Sequence, residues 1–244
     1  RPSVRLEIAA EAAYFVGVSL VENPVAMVLT NMHGEVLAER QIGWSDDAAE
    51  IGRLIVRDLP ALTAGHPEVA GRLAGVGVAL SGLIDPTHRI CLRSTLLGWQ
   101  NLPAAELMEA AVGLPVAIEN DAKAVALGEK LFGPVRDDQS FSLISVGEGI
   151  GCAHILDGRL YRGARGGAGE IAHATIEPGG LPCPCGKRGC LDTISSLVAI
   201  RSSARAKGLP EDLGELEKLA GQGNAEATDI LHRAGFALGL AISQ

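Results

Sequence analysis

The sequence predicts an α/β protein built twice over, with two lobes of sheet and helix on either side of a cleft. Two openings rich in short strands and turns point to it, one near the start and one after residue 139. Helical periodicity follows each opening. The chain has 244 residues, 47% of them hydrophobic but only 3% aromatic, so Ala, Val, Leu and Ile must fill the core.

Tyr14–Leu20, Val25–Thr30 and Val36–Ile42 read as strands, separated by breaks at Asn23-Pro24 and His33-Gly34. Asp47 with Glu50 three residues on marks a helix start, and Ile51, Leu54, Ile55, Leu59 and Leu62 then recur at helical spacing. Val76–Leu80 is a buried strand that ends at Ser81-Gly82. A helix over Pro103–Val112, a strand over Val116–Glu119 and a helix over Ala122–Phe132 complete the first half. The second opening has strands at Ser140–Val146 and Cys152–Leu156 around a glycine-rich turn, with a further turn at Asp157-Gly158. From Ser195 onward the pattern is helical, including an apolar stretch from Ile230 to Ile242. The expected organisation is a lead-in over residues 1–13, an N-terminal lobe over 14–121 and a C-terminal lobe over 122–244.

No uncharged apolar run reaches about 18 residues, and no charged-then-apolar leader is present, so the expected setting is cytoplasmic. The net charge of −8 argues against these residues gripping a phosphate backbone, which needs clustered Lys and Arg.

Three of the five cysteines crowd into LPCPCGKRGC, residues 181–190. A Cys183–Cys185 disulfide would be strained across one intervening residue, and a Cys185–Cys190 bridge would leave an odd thiol. A redox loop is the rival to metal binding. Cys183, Cys185 and Cys190 offer three soft thiolates on turns that Gly186 and Gly189 make tight, and His173 lies ten residues upstream as a fourth donor. The expectation is a structural Cys3His zinc site with a closed shell, which orders a loop and performs no hydrolysis. Cys91 and Cys152 stand in apolar surroundings as core residues. His33, His66, His88, His154 and His232 show no partner pattern.

With GAGEIAH (167–173) followed by CPCGKRGCLD (183–192), the chain resembles the ROK family of bacterial sugar kinases and sugar-responsive repressors. The resemblance implies an actin-like ATPase fold with sugar in the interdomain cleft. It also implies a zinc loop, here residues 173–190, that holds the sugar-contacting Glu170 and His173. Asn120 and Asp121 stand where the family carries its sugar-binding pair. In a kinase the matching Asp is the general base, so Asp121 is catalytic only on that reading. Without the resemblance, Asp121 reads equally well as a helix cap. Asp192 falls where the family usually has Glu, one methylene longer, so Asp192 reaches a sugar through water or not at all. Asn101 is a further sugar candidate or a turn residue.

The family's kinases carry an Asp-x-Gly-x-Thr phosphate turn after the first strand. Here the matching stretch is SLVEN, with Ser19, Val21 and Asn23 at those places and Glu22 adding negative charge. The second loop, VGEGIGC, keeps its glycines but places Glu148 where kinases usually have a hydroxyl. A carboxylate beside triphosphate costs roughly 1 to 4 kcal/mol per close pair. ATP and Mg2+ are therefore not expected. The reading is a sugar-binding effector domain of a ROK-type transcriptional regulator. It would bind DNA only through an N-terminal helix-turn-helix domain outside this chain, and it would form a homodimer or homotetramer. The alternative is an ATP-dependent sugar kinase, glucokinase-like or N-acetylhexosamine kinase-like.

Overall fold

The structure, a computed structural model, describes residues 8–243. In chain order these form β1 (Tyr14–Ser19), β2 (Val25–Asn31), β3 (Val36–Ile42), α1 (Ala48–Thr63) and β4 (Leu73–Leu80). Three short strands follow, β5 (Leu83–Ile84), β6 (Cys91–Ser94) and β7 (Trp99–Leu102), then α2 (Ala104–Val112), β8 (Val116–Asn120) and α3 (Asp121–Leu131). Next come β9 (Phe141–Val146), β10 (Ile150–Leu156) and β11 (Arg159–Tyr161). The remainder is helical: α4 (Asp192–Ser195), α5 (Leu197–Ala206), α6 (Leu213–Gly221) and α7 (Ala225–Ile242).

The chain divides into two compact units. The first runs to Gln139 and adds Asp157–Gly167; the second comprises Ser140–Leu156 and the chain from Ala168. Helix α3 packs on β8 and β4 and belongs to the first unit.

In the first unit the main sheet has the order β3-β2-β1-β4-β8. The meander β1–β3 is antiparallel, and β4 and β8 join in parallel. Period-two alternation puts Tyr14, Val16 and Val18 on one buried face with Val25, Met27 and Leu29 of β2. Helix α1 begins as its sequence demands: Asp47 accepts a hydrogen bond from the Glu50 amide at 2.9 Å, satisfying an orphan donor of the first turn. Its Ile51, Leu54, Ile55 and Leu62 are buried in the same core.

Gly52 is where α1 meets α2: a Cβ there would stand 2.8 Å from Ala111 Cβ and 3.0 Å from the Met108 carbonyl. Gly52→Ala gains about 1 kcal/mol of helix propensity but meets overpacking worth about 1–3 kcal/mol. The expected outcome is net destabilisation, read as a thermal midpoint lowered by about 3 °C.

Of the lead-in assigned to 1–13, positions 1–7 lie outside the described residues. The rest packs on the first unit: the Ala10 carbonyl accepts from the Met32 amide at 2.9 Å, and Arg72 donates to the Glu11 carbonyl at 3.2 Å.

In the second unit β9 and β10 form an antiparallel hairpin. One apolar cluster joins Ile150, Ala172, Leu191, Ile194 and Ala237, and another binds α5, α6 and α7 through Ile200, Ala204, Leu216 and Ile230. No helix among the described residues is long and apolar enough to cross a membrane.

Candidate metal centre and ligand residues

The cysteine loop folds with little regular structure. Two isolated bridges, Thr175 with Cys190 and Pro182 with Arg188, pin its ends. Backbone bonds from Ile176 and Glu177 to the Gly189 carbonyl, at 2.8 and 3.0 Å, and from Cys183 to the Lys187 carbonyl at 2.9 Å close the turns. Gly189 adopts φ 68° with its Cα against the Glu177 carbonyl, and a Cβ there would overlap that oxygen. Only glycine fits the place.

This backbone brings one donor atom each from His173, Cys183, Cys185 and Cys190 within 4.8 Å of one another. His173 Nδ1 lies 3.6 Å from Cys183 Sγ, and the Cys185 and Cys190 sulfurs are 3.7 Å apart. A tetrahedral ion with bonds of about 2.3 Å to sulfur and about 2.0 Å to nitrogen has donor–donor edges of about 3.5–3.8 Å, which these two edges match, while all four donors lie within 4.8 Å of one another. The sulfurs are much farther apart than the about 2.05 Å of a disulfide, and all five cysteines are free. Burial, then the neighbouring thiols, push Cys190 up to about 12, whereas backbone and thiol hydrogen bonds outweigh burial and lower Cys185. Such crowding of thiols is relieved by a cation that keeps them ionised together. The four residues can therefore hold a metal.

With Nδ1 in the cluster, the opposite ring nitrogen of His173 is left for another partner. Glu170, exposed, stands at the N-cap of the short 3-10 turn Ile171–His173. Asp192 opens α4 just after Cys190, and its Oδ1 accepts from the Ile150 amide at 3.2 Å. That bond ties the end of the loop to the start of β10 and occupies one of its two oxygens.

In the first unit the strand β8 ends on Asn120, and it is Asn120, not Asp121, that caps α3. Its Oδ1 accepts from the Lys123 amide at 3.1 Å while its Nδ2 donates to the Gly82 carbonyl at 3.1 Å. Asp121 is the first helical residue and accepts from the Ala122 amide at 2.9 Å. Burial raises its carboxyl above the ordinary value, against the hydrogen bonds that lower it. Asn101 lies in β7, exposed, at φ 48°.

Two residues beside this pair escaped the sequence reading. Glu119, immediately before Asn120, accepts from the Asn120 amide through Oε1 at 2.7 Å and pairs with Arg162 through Oε2 at 2.6 Å. His88 Nδ1 stands 3.4 Å from the same Oε2. A strand-end Glu and an Arg 43 residues later carry no local pattern that links them.

The glycine turn between β9 and β10 carries Glu148, whose exposed carboxylate is paired with Arg201 of α5. At the corresponding first turn, Leu20 is fully buried and Val21, Glu22, Asn23 and Pro24 are exposed.

A family model described as "ROK family" matches residues 15–244. A putative xylose repressor of Caldicellulosiruptor sp. (strain Rt8B.4) is 35% identical over 206 residues, covering 83% of this chain and 51% of that protein. Among solved structures, a ROK family transcriptional regulator, a homolog of the E. coli MLC protein, aligns at TM-score 0.82 and 30% identity over 99% of this chain and 64% of its own. A ROK family glucokinase from Streptomyces griseus, in complex with glucose and AMPPNP, aligns at TM-score 0.77 and 26% identity over 94% of this chain and 78% of its own. The chain thus spans about half the length of the curated repressor it matches.

Proposed function

The chain belongs to the ROK family and has its actin-like α/β fold, and from that premise we propose that it is the sugar-binding effector part of a transcriptional regulator. The observation that carries the choice over a kinase is Glu148. A carboxylate stands at the tip of the glycine turn, held by Arg201, where the family's kinases usually have a hydroxyl residue, and it would have to give up that pair beside a triphosphate that repels it. The SLVEN turn, without the kinase Asp, Gly and Thr, supports the same reading.

The ligand is a neutral monosaccharide, with pentoses first in line because a matched relative is named a xylose repressor. Asn120, Asp121, Glu170 and His173 offer the carboxylate, amide and imidazole groups that pair with sugar hydroxyls. Asn101 and the second oxygen of Asp192 are further contacts. The metal is zinc held by His173, Cys183, Cys185 and Cys190; with its shell closed it supplies structure and no reaction step. DNA is bound by another domain of the protein in a homodimer, and sugar shifts the population between DNA-binding and released states by its differential affinity for them.

The second reading, an ATP-dependent sugar kinase, is favoured by one feature: the Asn120–Asp121 pair is intact, with Asp121 half-buried and its carboxyl raised as suits a general base. The separating experiment melts the chain with xylose, glucose and N-acetylhexosamines, with and without Mg-ATP, and measures ATP turnover. The expected result is stabilisation by one sugar without nucleotide and no turnover. Phosphorylated product would establish the kinase reading instead.

A further inference from the structure

The segment Asp157–Gly167 belongs to the first unit although the chain on both sides of it belongs to the second. The Gly158 amide donates to the Gln139 carbonyl at 2.7 Å, and two charged side chains add bonds to the β8–α3 junction. Arg162, 20% exposed, pairs with Glu119, 12% exposed, at 2.6 Å. Lys123, 2% exposed, donates through Nζ to the Gly166 carbonyl at 2.5 Å. Glu119 and Lys123 bracket Asn120 and Asp121 in the chain, one residue before the pair and two after it. Both side-chain anchors of the strap therefore end on the strand–helix junction that presents these two side chains.

The chemistry of Glu119 sharpens this. One carboxylate oxygen accepts from the Asn120 amide at 2.7 Å; the other, buried and without a hydrogen bond, faces the Arg162 guanidinium at 2.6 Å as an ion pair, with His88 Nδ1 3.4 Å away. A charged pair at this depth is hard to relax: removing one partner leaves the other uncompensated. The strap also leads directly on in sequence to Glu170, three residues past Gly167. A surface pair with no such bond to the ligand-bearing peptide would contribute little.

We propose that Glu119 and Arg162 are positioning residues for ligand recognition: their ion pair clamps the 157–167 strap onto the β8–α3 junction and fixes the peptide from which Asn120 and Asp121 project. The clamp acts through Asn120 and Asp121, and this rests on the reading of that pair as sugar contacts.

The test uses the full 244-residue chain with Arg162→Met, Arg162→Lys and Glu119→Gln, each checked for metal content and a cooperative melt. Hydrogen exchange without sugar reads the clamp directly. Arg162→Met is expected to speed exchange of the 157–167 amides about ten-fold while the 176–190 amides are unmoved. Titration with the stabilising sugar reads its purpose: about ten-fold weaker binding in Arg162→Met and Glu119→Gln, with Arg162→Lys within about three-fold of the unaltered chain. Recovery by Lys is what a loss of packing alone would not give. Unchanged exchange in the strap overturns the clamp, and unchanged affinity in a folded Arg162→Met overturns the positioning role. Should the unaltered chain bind no sugar at all, the functional reading falls and the exchange result alone decides the clamp. Glu119→Gln keeps the side chain's volume and its acceptor for the Asn120 amide, so it stands in if Arg162→Met does not fold.

Discussion

Cys190→Ser is expected to strip the metal from the protein and lower its thermal midpoint by on the order of 10 °C. Cys190 is fully buried and sits within the four-donor cluster. The loop it closes has only two isolated bridges and a handful of turn bonds to hold it, so little else orders the backbone when the ion leaves. A serine hydroxyl is a hard, weakly ionised ligand and cannot replace a thiolate. Acid has the same effect in the unaltered protein, since metal binding requires deprotonated ligands and is lost as they take up protons. Elemental analysis and a melt in chelator measure the loss. Cys91→Ala is the control. It too removes a fully buried thiol, pushed by burial up to about 11, yet it is expected to leave metal content intact.

The second large effect separates ligand binding from stability. Asp121→Asn is expected to weaken sugar binding about a hundred-fold while raising the melting temperature of the ligand-free chain. The first half follows from losing a charged acceptor: hydrogen bonds to ionised groups contribute about 1.5–3 kcal/mol each. The second follows from burial, which lifts the folded carboxyl above its usual 3.8. A group raised in this way contributes stability that is fully present below the unfolded value and is lost as pH rises through the folded one. At neutral pH Asp121 is therefore a burden on the fold, which the amide relieves. The same shift sets the pH dependence of binding: sugar affinity falls as pH drops through the raised value, because the protonated acid accepts fewer hydrogen bonds. Titration calorimetry and melts on the two proteins check both halves.

Much of this was legible in the sequence because the signals are local. The Asp47–Glu50 cap, the helical spacing of Ile51, Leu54 and Ile55, and the alternation in β1 each act within a few residues, and each element formed where it was read. The cysteine spacing likewise brought its four donors together. The strands β5, β6 and β7 passed unnoticed because runs of two to four residues are too short to show a period. The cap of α3 falls on Asn120, so the cap alternative offered for Asp121 does not hold: Asn and Asp in succession both suit a cap, and only the backbone decides between them. Glu119 and Arg162 were illegible for a different reason: they meet across the fold, and no spacing rule spans that distance. The boundary between units behaves similarly, because the return of 157–167 to the first unit depends on long-range pairs such as Lys123 with Gly166.

Native mass spectrometry of the chain purified without added metal, then exposed to monosaccharides and to Mg-ATP, puts the account at risk in a single spectrum. The expected masses are one zinc per chain and one sugar added to it, with no nucleotide adduct and no phosphorylated sugar. A metal-free chain, or one that takes up nucleotide and releases sugar phosphate, would contradict it.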